Sequence, residues 1–134
     1  MKTVTRMLGD ELYESLNENG NKVLIDMRKT EERESQSPTE LLLSALAGCS
    51  AVDIVLMLKK RKKDVREFII ITDGTRREET PRLFTHIHCT YLITSPDVNE
   101  EELQKVAQLS VEKYCSVAAS LKSKITFSVE VKRV

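Results

Sequence analysis

At 134 residues the chain is the size of one domain, 1–134, and is long enough to bury a core. Its 21 Lys and Arg balance 21 Asp and Glu, which excludes the basic excess of a general nucleic-acid binder and leaves no long-range repulsion between copies. An odd count of 3 Cys and a polar, alternating start without an apolar export segment predict a reducing, cytoplasmic setting, where thiols are core residues or reactive groups rather than structural bridges.

The elements follow in chain order. Alternation at Val4, Arg6 and Leu8 and at Leu12, Glu14 and Leu16 predicts two short strands, 3–8 and 11–16, joined around Gly9-Asp10. The run Asn17 to Asn21 contains Asn19-Gly20, a strong hairpin signal, and Val23, Ile25 and Met27 mark one face of a third strand. Lys29 to Gln36 is polar and strongly charged and reads as a mobile loop. A long helix then opens with Ser37 as N-cap, Pro38 in the first turn and Glu40 at the capping-box position. Residues 41–58 are apolar on almost every face, interrupted mainly by Ser44, Gly48, Ser50 and Asp53, so the helix must be buried on all sides. Asp53 and the two serines argue against a membrane span. The basic run Lys59 to Lys63 reads as a solvated helix C-terminus complementing the dipole.

Residues 65–73 form a β-rich run closed by Asp73-Gly74 as a turn, and 76–82 form a hairpin tip or edge. In the long strand from Leu83 to Thr94, Ile87, Cys89, Tyr91 and Ile93 share one face, and His86, His88 and Thr90 share the other. Asn99 caps a second helix, with Glu102 as its capping-box partner and Val98 and Leu103 as a hydrophobic staple. Leu103, Val106, Ala107, Ser110 and Tyr114 form its buried stripe. Cys115-Ser116 interrupts it, 117–121 forms a short helix, and Ile125, Phe127, Val129 and Val131 alternate along a final strand. The order β-β-β, helix, β-β, helix, short helix, β indicates an α+β fold.

Two cysteines carry the candidate chemistry. Cys49, mid-helix, is either a small core residue or a nucleophile; in the latter case it needs a nearby cation, because it lies too deep in the helix for help from the dipole. Cys115 directly precedes Ser116-Val117-Ala118-Ala119, where a helix N-terminus would stabilise a thiolate. Cys89, on the apolar strand face, reads as structural. His86 and His88 supply two ligand-type groups on one face but no third His exists, so they read as polar-face residues rather than a metal site. Glu40 has a structural role as a cap and is at the same time a candidate catalytic carboxylate.

The segment Ser37-Pro38-Thr39-Glu40-Leu41-Leu42-Leu43, then Ala47-Gly48-Cys49-Ser50-Ala51-Val52-Asp53, together with Glu112-Lys113-Tyr114-Cys115-Ser116-Val117-Ala118, resembles the OsmC/Ohr family of osmotically inducible and organic-hydroperoxide-resistance proteins. The run from Arg76 to His86 is similar to the YhfA-like branch. The resemblance implies an intertwined homodimer, with antiparallel strands of both chains wrapped around two long central helices. It also implies a thiol peroxidase with no metal or organic cofactor. In it, Cys49 matches the peroxidatic cysteine and Cys115 the resolving one, and an external dithiol is the reductant. A Glu-held Arg supplies positive charge in the family. By count the family Glu falls on Thr39, beside Glu40, and Arg6, Arg28, Arg33, Arg76 and Arg82 are the candidate cations. A second expectation is an OsmC-like dimer that binds a small apolar ligand or senses redox state with little turnover.

Overall fold

A computed structural model describes all residues, Met1–Val134, and the chain divides into two compact units, Met1–Leu42 and Leu43–Val134. The first unit is an antiparallel sheet in the order β1-β2-β3, with β1 at Thr3–Gly9, β2 at Leu12–Asn17 and β3 at Lys22–Asp26. Its second turn forms as the sequence predicts. Gly20 takes a left-handed φ of 81°, and Asn17 Oδ1 accepts from the backbone N–H groups of Asn19 and Asn21 at 3.1 and 2.8 Å.

The charged loop after β3 is more ordered than its composition suggests. Asp26, fully buried, accepts from Arg28 N–H, Arg28 Nε and Arg28 Nη2 at 3.1, 3.0 and 2.9 Å, and from Glu34 N–H at 2.9 Å. Thr30–Glu32 forms one 3₁₀ turn inside this loop. The guanidinium beside Asp26 holds its carboxyl well below the usual carboxylate range, helped by the Glu34 N–H.

Helix α1 spans Pro38–Lys60. The capping box closes as expected: Ser37 N–H donates to Glu40 Oε1 at 2.9 Å, and Glu40 N–H donates to Ser37 Oγ at 3.3 Å. Further along, every fourth residue is buried, giving the stripe Leu46, Ser50, Ile54 and Leu58. Within the second unit this stripe joins Ile87, Cys89, Tyr91, Ile93, Val98, Leu103, Val106 and Ala107 in one core. The expected burial on all sides is confined, within one chain, to this stripe and its flanks. Ala45, Gly48, Val52 and Leu56 form an exposed apolar face, with Val52 59% and Leu56 54% exposed.

The second sheet has the order β4-β5-β6, with β4 at Glu67–Arg76, β5 at Phe84–Ser95 and β6 at Lys124–Arg133. β4 and β5 are antiparallel, but β5 and β6 run parallel, which corrects the all-antiparallel expectation. The cause is the long connection between them, which crosses back over the sheet through α2 (Glu100–Leu109) and α3 (Ser116–Ser120). Gly74 sits inside β4 rather than in a turn: a Cβ there would come within 2.5 Å of the Phe84 ring, so the position requires the missing side chain.

α2 is capped by Asn99, whose Oδ1 accepts from Glu102 N–H at 2.8 Å, while the Glu102 carboxylate reaches Lys63 at 3.4 Å and Arg61 at 3.9 Å. The helix then widens into a π turn over Ser110–Tyr114, closed by Cys115 N–H donating to Ser110 O at 2.7 Å. That extra residue per turn rotates Tyr114 out of the predicted buried stripe, and it is 53% exposed.

Candidate functional site

Three chain segments of the second unit meet where α1, the π turn and α3 come together. Cys49 precedes the buried Ser50 and is half-buried at the edge of the core stripe. Asp53 follows four residues later, on the same side of the helix. The π turn delivers Cys115, 3% exposed, as the N-cap of α3. The Sγ atoms of Cys49 and Cys115 and a carboxylate oxygen of Asp53 all lie within 4.8 Å of one another. All three cysteines are free thiols.

Hydrogen bonds fix this arrangement to the core. Ser110 Oγ donates to Asp53 Oδ2 at 3.0 Å and lies 3.3 Å from Ser50 O. Ser50 Oγ donates to Leu46 O at 2.9 Å and accepts from the Tyr91 hydroxyl at 2.8 Å. The Tyr91 hydroxyl is thus satisfied in the core, and burial pushes its pKa up. Cys115 Sγ accepts from Ala118 N–H at 3.4 Å, the contact expected of a thiol at a helix start.

The electrostatic consequence differs from the sequence expectation. Burial pushes the Cys115 thiol up to about 11; the Ala118 N–H pulls the other way, and the adjacent Cys49 thiol adds to the rise. A five-residue helix does not offset the desolvation of a thiol that is almost closed to water. Cys115 is therefore the neutral, sheltered member of the pair, and Cys49 the more accessible one.

The comparisons with known proteins decide the family. A family model described as "OsmC-like protein" matches residues 31–130. The chain is 40% identical over 114 residues to Protein YhfA of Escherichia coli K12, covering 84% of each. This chain belongs to the OsmC-like family.

Solved structures share the fold. A hypothetical protein of Aquifex aeolicus superposes with a TM-score of 0.87 at 29% identity, over 99% of this chain and 96% of that one. The organic hydroperoxide resistance protein OhrB of Bacillus subtilis shares the fold at a TM-score of 0.64 and 15% identity, over 98% and 96% of the two chains.

Of the residues singled out in this OsmC-like sequence, Cys49 and Cys115 are brought together and Cys89 is a buried core residue whose thiol burial pushes up. Glu40 lies at the start of α1, in the first unit, with Arg33 Nη1 3.9 Å from its Oε1. The Ser37 N–H and hydroxyl lower its pKa, with Arg33 a smaller influence. The other candidate arginines have their own partners: Arg28 on Asp26, Arg6 on Glu14, Arg76 on Arg82 O and Arg82 on Arg77 O. His86 Nε2 and His88 Nδ1 both lie 2.7 Å from Thr126 Oγ1, a polar strand face as read from the sequence. Asp53 and Ser110 are the site residues the sequence reading passed over. The available signal was the spacing: Asp53 is the one carboxylate inside the apolar run 41–58, four residues from Cys49.

Proposed function

We propose that the protein is a thiol-dependent peroxide reductase acting on organic hydroperoxides or hydrogen peroxide, in which Cys49 is peroxidatic and Cys115 resolving. The observation that carries the reading is the approach of the two sulfurs to within 4.8 Å of each other with unequal exposure. The Cys49 thiolate attacks the peroxide O–O bond. One oxygen stays on sulfur as a sulfenic acid, and the other leaves as an alcohol or, from hydrogen peroxide, water. The Cys115 sulfur then displaces the sulfenic hydroxyl, which leaves as water with the thiol proton, and a disulfide forms. Bonding at about 2.05 Å requires the sulfurs to close from their present separation of within 4.8 Å. An external dithiol restores both thiols by exchange, taking the oxidation onto its own sulfurs.

In this reading Glu40, paired with Arg33, is the carboxylate that holds an arginine. The exposed Ala45, Gly48, Val52 and Leu56 face of α1 supports a homodimer with the two helices back to back, because an apolar helix face of this kind is stable only when covered. The free thiols suit a reducing, cytoplasmic setting. The test is consumption of cumene hydroperoxide by the reduced protein with dithiothreitol or a lipoyl dithiol. Wild type is expected to turn over; consumption equal to that of Cys49→Ser overturns the reading.

A redox sensor of low turnover is the second reading. The observation that favours it is that Arg6, Arg28, Arg76 and Arg82 are each engaged with groups other than a thiol. Oxidation that is complete in one turnover but slow to recycle with dithiols distinguishes it.

A further inference from the structure

The two thiols share their site with a carboxylate that the peroxide chemistry does not use. We infer that Cys49, Asp53 and Cys115 of the reduced chain form a three-ligand site for a thiophilic divalent cation of the zinc class. Three features support this. Two sulfurs and one carboxylate oxygen are the donor set that borderline-soft cations select over Mg²⁺ or Ca²⁺. The donor atoms converge, all within 4.8 Å of one another, and a tetrahedral zinc site holds such donors about 3.3–3.8 Å apart, a closure of at most about 1.5 Å. Their geometry is also held from behind. Ser110 donates to Asp53 Oδ2 at 3.0 Å, and Ala118 N–H donates to Cys115 Sγ at 3.4 Å. Hydrogen bonds of this kind orient ligands in metal sites.

Cys49 and Asp53, four residues apart on α1, supply one edge of the site, and Cys115, delivered by the π turn, supplies the third corner. A cation there would balance ligands that repel one another when ionised, and a water would complete four-coordination. Cation and peroxide compete for the same sulfurs, so metal-loaded protein is a protected, unreactive form. The inference does not depend on turnover: the site exists whether or not the thiols reduce peroxide.

The experiment titrates the reduced full-length chain, without oxygen, first with Co²⁺ alone and then with Zn²⁺ against a chromophoric chelator. The expected result is one cation per chain, a near-ultraviolet thiolate-to-cobalt band, and displacement of cobalt by zinc. Cys49→Ser and Cys115→Ser are expected to weaken zinc binding by roughly a hundredfold each, the share of one ligand in a zinc site's affinity. Asp53→Asn, which keeps an acceptor for Ser110, is expected to weaken binding by about tenfold or more while retaining the thiolate band. Cys89→Ser serves as the folded control and is expected to bind as wild type. The inference is overturned by a wild type without the thiolate band, by an Asp53→Asn protein that binds as tightly as wild type, or by binding that depends on Cys89.

Discussion

Asp26 is fully buried and Asp53 partly buried, and they are held in opposite ways. Asp26 accepts from Arg28 Nε and Nη2 and from the N–H groups of Arg28 and Glu34, so its lone pairs are occupied and its charge is balanced. It fastens the end of β3 to the following loop. Asp53 takes the Ser110 hydroxyl on one oxygen and stands beside two thiols. The difference separates a carboxylate saturated by donors from one with spare acceptor capacity beside two thiols.

The largest expected effect is on the thiol side. Under the proposed function, Cys49→Ser should lower peroxide consumption by at least about a thousandfold, because it removes the proposed nucleophile and leaves only general contacts. Its thermal midpoint should stay near that of wild type, since Cys49 lies at the edge of the core rather than within it.

On the structural side, Asp26→Asn should lower the thermal midpoint clearly while leaving the Cys49–Cys115 pair chemically intact. The sign of its pH dependence follows from the depressed folded pKa of Asp26. Stabilisation is fully present above the unfolded value of about 4, and is lost progressively as pH falls toward the folded value. Wild type should therefore lose stability on acidification below about pH 4 more steeply than Asp26→Asn. Parallel acid limbs in the two proteins would remove the contrast with Asp53.

Ser50→Ala probes the layer beneath the thiols. It leaves the Tyr91 hydroxyl without its acceptor in a closed core, which should cost about 1–3 kcal/mol in denaturant unfolding. Cys89→Ser, on the same strand as Tyr91 but outside the pair, should not change the rate of disulfide formation. The smallest expected effect is at Glu40. Glu40→Gln keeps an oxygen for Ser37 N–H and so preserves the cap, but it removes the charge facing Arg33. Under the proposed role, turnover falls by roughly tenfold, about the effect of one displaced positioning group; unchanged turnover would leave Glu40 as a cap alone.

Much of this was legible in the residues. Alternation and helical spacing gave the order of strands and helices, because each element buries one face and the pattern of burial is written in the side chains. Ser37 with Glu40, and Asn99, marked both long-helix starts for a local reason: their partners are three residues away. What the sequence hid is non-local. The parallel pairing of β5 with β6 depends on how the crossover returns. The π turn at Ser110–Tyr114 is a one-residue shift that leaves hydrophobic spacing almost unchanged yet moves Tyr114 outward and aims Cys115 inward. Gly74 looked like a turn because its requirement comes from Phe84, ten residues on. The same holds at the site. The cysteine pair was visible through two motifs, but the raised Cys115 pKa was not, because desolvation depends on everything packed around it.

The most direct test of the central claim is the fate of the three thiols after one equivalent of cumene hydroperoxide. Peptide mapping of the fully reduced chain, before and after addition, reads it. The account predicts one Cys49–Cys115 disulfide per chain with Cys89 unmodified, and in Cys115→Ser a sulfenic acid trapped on Cys49. Thiols that remain reduced, or a disulfide that recruits Cys89, would contradict it.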